Sequence, residues 1–171
     1  PSGAKRSEIL REFIRENNRL IGMTDTQATT LKVTADYMNP SGNMGYAHLE
    51  QEINGIPVFR GEVKAGFTAD GQIVRVINNL APGLDYAQIS NNFGDPQDAV
   101  VAAAGHIEHQ FKAGEAERNA NESKGNKVVF GKGDWATTAE KMYFPTEPGV
   151  AVPTAEPEDP VLRRLFPTAY P

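Results

Sequence analysis

Residues 49–67, LEQEINGIPVFRGEVKAGF, constrain the fold most. Two alternating runs flank Asn54-Gly55. That pair accepts the positive φ angles a two-residue hairpin turn requires. On the incoming run Ala47, Leu49, Gln51 and Ile53 share one side. On the outgoing run Phe59, Gly61, Val63, Ala65 and Phe67 are expected to share one face. Pro57 suits a strand start or an edge, where a missing N–H leaves no gap in the ladder. Gly61 and Gly66 mark bulges or close packing. A sheet with one apolar face must bury it against another layer.

The cover is encoded upstream. Residues 7–21, SEILREFIRENNRLI, place Ile9, Leu10, Phe13, Ile14, Leu20 and Ile21 near the helical period, with Arg11, Glu12, Arg15, Glu16 and Arg19 opposite. Ser7 is expected to cap this helix and Gly22 to stop it. Burial contributes roughly 1.5–3 kcal/mol for each large apolar member, so the helix needs a sheet to pack on. Residues 31–37 alternate, with Leu31, Val33, Ala35 and Tyr37 expected on the buried side. Turns at 39–45 and 69–71 and a strand over 72–78 complete a meander of about four antiparallel strands.

A second unit opens at residue 95. Asp95 is the expected N-cap, Pro96 takes the first helical position, and Asp98 favours the positive end of the helix dipole. Val100, Ala103, Ala104, Ile107 and Phe111 form the expected buried stripe. Residues 112–126 are polar and read as an exposed loop. Strands are expected at 127–130, 140–144 and 150–152. From Pro153 onward five prolines stand among 19 residues, a composition that favours extended backbone. The expected fold class is α+β: two small units, each a helix packed on an antiparallel sheet, and a Pro-rich tail. The domain boundaries are 1–90, 91–152 and 153–171.

Chemistry-bearing patterns are sparse. The chain of 171 residues has a net charge of −5 and no cysteine. The acidic balance argues against a broad nucleic-acid surface. Lack of cysteine removes disulfides, thiolate metal sites and thiol nucleophiles. No apolar run approaches the ~20 residues of a membrane-spanning helix. His106 and His109 are three apart with Glu108 between them, and His48 is the one remaining histidine. The zinc-protease helix needs histidines four apart with Glu directly after the first, so surface histidines are the better reading. No nucleophile elbow and no phosphate-binding glycine loop occurs. No catalytic residue, metal ligand or cofactor is expected in this chain.

Residues 46–80, YAHLEQEINGIPVFRGEVKAGFTADGQIVRVINNL, resemble the FTP domain of fungalysin- and thermolysin-type propeptides. The residues carrying the resemblance are His48, Gln51, Asn54, Gly55, Ile56, Pro57, Val58, Asp70 and Gly71. DPQDAVVAAAGHI and KMYFPTEPGVAV look like the helix and final hairpin of the cystatin-like PepSY domain that follows FTP in M36 fungalysin-type precursors. One departure is the break at Pro153, where the family's last strand usually runs on towards the catalytic domain.

The resemblance implies the prodomain of a secreted M36 zinc metallopeptidase. Such a prodomain inhibits the catalytic domain, assists its folding and is not itself catalytic. Its partner is that catalytic domain, in the same precursor or a separate chain, with neither nucleic acid nor membrane. The alternative is a stand-alone FTP/PepSY-like binding or inhibitor module. Thermolysin-like clefts favour large apolar side chains, so Leu162, Arg163, Arg164, Leu165 and Phe166 in the tail are the candidate protease contact or processing site.

Overall fold

The computed structural model describes residues 5–145. Residues up to Ile89, joined by Tyr143–Pro145, form one compact unit, and Ser90–Met142 form another. Both units combine helix with antiparallel sheet, so the fold class is α+β.

The first unit runs α1 (Arg6–Glu16), α2 (Asn18–Ile21), α3 (Asp25–Thr30), β1 (Lys32–Met38), β2 (Met44–Ile53), β3 (Ile56–Thr68) and β4 (Ile73–Asn78). The strands pair in chain order as a four-stranded antiparallel meander. Leu10, Ile14, Ile21, Met23, Ala28 and Leu31 from the helical part meet Ala47, Leu49, Val63, Ala65 and Phe67 from the sheet. That single-sided burial matches the alternation along β2, and it is the main favourable term for the unit.

The helical cover differs from expectation in three places. Ser7 is not the N-cap. Lys5 holds that position, and Ser7 is buried in the first turn, where its N–H and Oγ donate to Asp36 of β1 at 2.9 and 2.7 Å. A carboxylate from another element thus takes the place of a local cap at the positive helix end. The helix also breaks at Asn17, whose φ of −111° ends α1 and whose side chain donates to the Phe13 carbonyl at 2.8 Å. The break resets the helical phase, so Ile21 is buried while Leu20 is 85% exposed. Third, α3 was not anticipated; Thr24 and Gln27 form a full capping box at its start. Gly22 does stop α2, with φ 75°, and a Cβ there would lie 2.4 Å from the Cβ of Pro82.

Three register shifts interrupt the sheet, one of them where Gly66 and Phe67 of β3 pair with Arg75 and Ile73 of β4. Between Val33 and Ala35 the β1–β2 register shifts. Ala35 and Tyr37 therefore pair with His48 and Tyr46 on the open face, and Asp36 turns inward. Tyr37 is 54% exposed, against the expectation that it is buried. Phe59 is likewise not on the face of Gly61, Val63, Ala65 and Phe67. Residues 58–61 of β3 stand opposite the single residue Gln51 of β2, and Arg60 takes φ 54°. This wide bulge turns Val58 inward and leaves Phe59 partly exposed.

The second unit contains α4 (Pro96–His106), β5 (Arg118–Lys124), β6 (Lys127–Phe130), a 3₁₀ turn (Gly133–Trp135) and β7 (Thr137–Glu140), with sheet order β5-β6-β7. Asp95 accepts from the Gln97 N–H at 2.7 Å and Pro96 opens the helix, as the sequence predicts. The helix ends a turn early, at His106. Val100 and Ala104 are buried, Ala103 is exposed within the helix, and Ile107 and Phe111 lie beyond the helix end and are not buried. β5 lies inside the stretch read as loop. It is polar and largely exposed, so no hydrophobic alternation announces it. The strand expected at 140–144 is found at 137–140, and Tyr143 pairs elsewhere. The strand expected at 150–152 and the tail 153–171 lie outside the described residues.

Candidate functional site

The nine residues that carry the FTP resemblance fall on the β2–β3–β4 meander, but they serve two different faces. Asn54 and Gly55 form the hairpin turn, with φ of 53° and 79°. Val58 points into a small apolar cluster with Ile53 and Ala81, against which Leu84, Tyr86, Ile89 and Tyr143 pack, and Ile56 is buried just after the turn. Asp70 and Gly71 close the β3–β4 turn. Asp70 accepts from the Thr68 hydroxyl at 2.5 Å, which holds its carboxyl below the usual range.

Gln51 is the polar centre of this region and is 1% exposed. Its Oε1 accepts from the Ala81 N–H at 2.8 Å. Its Nε2 donates to the Ala81 carbonyl at 3.1 Å and to the Tyr86 hydroxyl at 2.9 Å. The side-chain amide thereby acts as a rung of backbone ladder for the chain that leaves β4. The β3 bulge makes room for it. A Cβ on Gly61 would sit 3.1 Å from Gln51 Oε1 and 2.9 Å from Val58 Cβ. Burial also raises the Tyr86 phenol above its ordinary pKa, although the Gln51 bond opposes this.

Residues 143–145 close the same region from far along the chain. Tyr143 makes a parallel bridge to Val58. The Phe59 N–H donates to the Tyr143 carbonyl at 2.7 Å, and the Tyr143 N–H donates to the Pro57 carbonyl at 2.8 Å. Phe144 stacks on Phe59 with ring centroids 5.3 Å apart.

His48 faces the other way, onto the open side of the sheet. Its Nε2 lies 2.8 Å from Glu62, and Lys64 donates to the same carboxylate at 2.7 Å. Those bonds, Lys64's first, keep the Glu62 carboxyl below its usual range. Around this triad lie Tyr37 stacked on Tyr46 at 5.4 Å, and Val74, Arg75 and Ile77 of β4.

His109 lies 3.4 Å from Glu115 and edge-on to Phe111. Among the described residues no group of three or more His, Asp or Glu is placed to hold a metal. Leu162, Arg163, Arg164, Leu165 and Phe166 lie outside the described residues.

Residues 29–80 match the Fungalysin/Thermolysin Propeptide Motif. The match covers β1 through β4, the whole meander, and ends just before Ala81. No curated protein matches the chain. FTP residues that the sequence marked as a linear pattern are therefore divided between an interior node and an outer face. Sequence reasoning missed Glu62, Ala81, Tyr86 and Tyr143. The last three lie 30 or more residues from their partners, beyond the reach of any local pattern. Among the described residues no helix is long and apolar enough to cross a membrane.

Proposed function

We propose that the chain is the propeptide of a secreted, fungalysin-type (M36) zinc metallopeptidase, and that it inhibits the catalytic domain and assists its folding while supplying no catalytic group. The observation that carries this reading is the match of residues 29–80 to the propeptide motif, over a complete four-stranded meander. We read the second unit as PepSY-like; its helix-then-antiparallel-sheet order supports that.

A physical route exists for both roles. Antiparallel sheets present unpaired N–H and C=O groups at β1 and β4, the edges of the first sheet. Protease clefts and nascent strands bind extended chain by the same backbone pairing. A preformed sheet surrenders little conformational entropy on docking. The segment 162–166, LRRLF, supplies large apolar side chains for an apolar cleft.

The test uses a fungalysin-type catalytic domain produced separately. Added chain should inhibit its peptidase activity and raise its yield on refolding from denaturant. Neither effect at a large molar excess would remove the reading. A chain ending at residue 152 then locates the inhibitory element: unchanged inhibition rules out the tail.

A further inference from the structure

The open face of the first sheet carries a notch that neither the core nor the propeptide reading explains. Register places Tyr37, Tyr46, Gly66 and Arg75 in one row across the four strands, with Ala35, His48, Lys64 and Ile77 in the next. Gly66 is the gap in the first row. A Cβ built there meets no atom within 4 Å. The stacked tyrosines stand on one side, and Val74, Arg75 and Ile77 on the other, around a groove of about 500 Å³. Tyr37, Val74 and Ile77 are 54, 60 and 44% exposed, so the walls are apolar surface facing solvent.

The charge around the notch is uneven. Glu62 is engaged by both His48 and Lys64. Arg75 makes no ion pair among the described residues and is exposed. Lys64 and Arg75 against Glu62 leave the rim cationic. Glu50, paired across from Glu62 and Lys32, lies one row further away and does not line the groove.

We propose that this notch is a docking site for an acidic segment of a partner protein in which an aromatic or branched aliphatic residue is flanked by Asp or Glu. The apolar side chain enters over Gly66 and packs between Tyr46 and Val74. The flanking carboxylates meet Arg75 and Lys64. Aromatic and arginine surfaces around a small pocket are the usual composition of an interface anchor point. The cationic rim selects sign and orientation.

Three capped pentapeptides, EDFDE, KRFRK and EDGDE, titrated into the isotopically labelled full chain, test this by amide and methyl chemical shifts. EDFDE should give saturable shifts at Tyr46, Gly66, Val74 and Arg75, and bind at least about tenfold tighter than either other peptide. Gly66→Leu should fill the notch and abolish the shifts. Arg75→Glu should reverse the preference towards KRFRK, with the remaining spectrum of each variant unchanged. If Gly66→Leu loses its dispersed spectrum, Arg75→Glu alone decides. No saturable shift at these residues, equal binding of EDGDE, or an unaltered preference in Arg75→Glu would overturn the site. Peptide binding is measured without any peptidase, so its failure leaves the propeptide reading standing.

Discussion

Gln51 occupies an inward position that strand alternation assigns to an apolar side chain, and its neighbours Leu49 and Ile53 are fully buried. An amide is stable there only because both ends are satisfied by Ala81 and Tyr86. Gln51→Leu replaces the amide by an apolar side chain and strands the Ala81 N–H and C=O away from water. Each buried unsatisfied group costs about 1–3 kcal/mol. Urea unfolding should show a loss of about 2–4 kcal/mol, a sum within that range for two groups. A second residue-scale prediction concerns acid. Glu62 titrates below its ordinary value of 4.5 in the folded state, chiefly through Lys64. A depressed carboxylate stabilises the fold above its unfolded pKa, and that contribution is lost as pH falls through the folded value. Glu62→Gln should therefore flatten the dependence of stability on pH below 4.5. Unfolding midpoints measured between neutral and acid pH check it, and parallel profiles for the two proteins would refute it. The Asn54-Gly55 turn was legible in the sequence because its requirement is local. The role of Gln51 was not, because Ala81 becomes its neighbour only after the meander forms.

The elements most open to sequence reading were those with an uninterrupted period: α1, β2, and β3 beyond Gly61. Errors cluster where one residue resets the phase. Asn17 does this in the helical cover, Thr34 in β1, and the bulge over residues 58–61 in β3. A bulge is invisible to an alternation count, since the count assumes one residue per position. Its sequence mark is Gly61, whose missing Cβ admits both Val58 and Gln51. Gly61→Ala puts a carbon 2.9 Å from Val58 Cβ, so the bulge must open. Such overpacking typically costs about 1–3 kcal/mol. The expected outcome is a lower denaturation midpoint, together with altered resonances at Val58, Phe59 and Gln51. Gly66→Ala, which meets open space, is the control and should leave those three resonances in place. β5 was missed for a different reason. A short polar edge strand is specified by its pairing to Val129 and Phe130 and carries no period of its own.

At the scale of the whole molecule, the stretch that matches the propeptide motif is shorter than the unit it builds. The match ends at residue 80, while the unit's second apolar cluster draws on Ala81, Leu84, Tyr86, Ile89 and Tyr143. The last of these arrives only after the chain has run through Ser90–Met142 of the second unit. Tyr143 contributes two backbone hydrogen bonds to β3, and Phe144 adds a ring stack on Phe59. Contacts formed across so long a loop bear its closure entropy, which grows only slowly with length, so a few good contacts can hold them. The first unit therefore consists of a meander that is local and a closing segment that is not. Ending the chain at residue 142 separates the two. The four-stranded sheet should persist, because its core cluster excludes residues 143–145. Protection should fall where the strap was. The Phe59 amide, bonded to the Tyr143 carbonyl at 2.7 Å in the longer chain, should exchange with solvent faster, by about tenfold for each 1.4 kcal/mol of lost contact. Amides of Val63 and Ala65, deep in the β2–β3 ladder, should keep their protection. Hydrogen exchange on chains ending at 145 and at 142 reads both sets together. Equal Phe59 rates in the two chains would mean that the strap adds nothing to the unit, and collapse of Val63 protection would mean that the meander cannot stand without it.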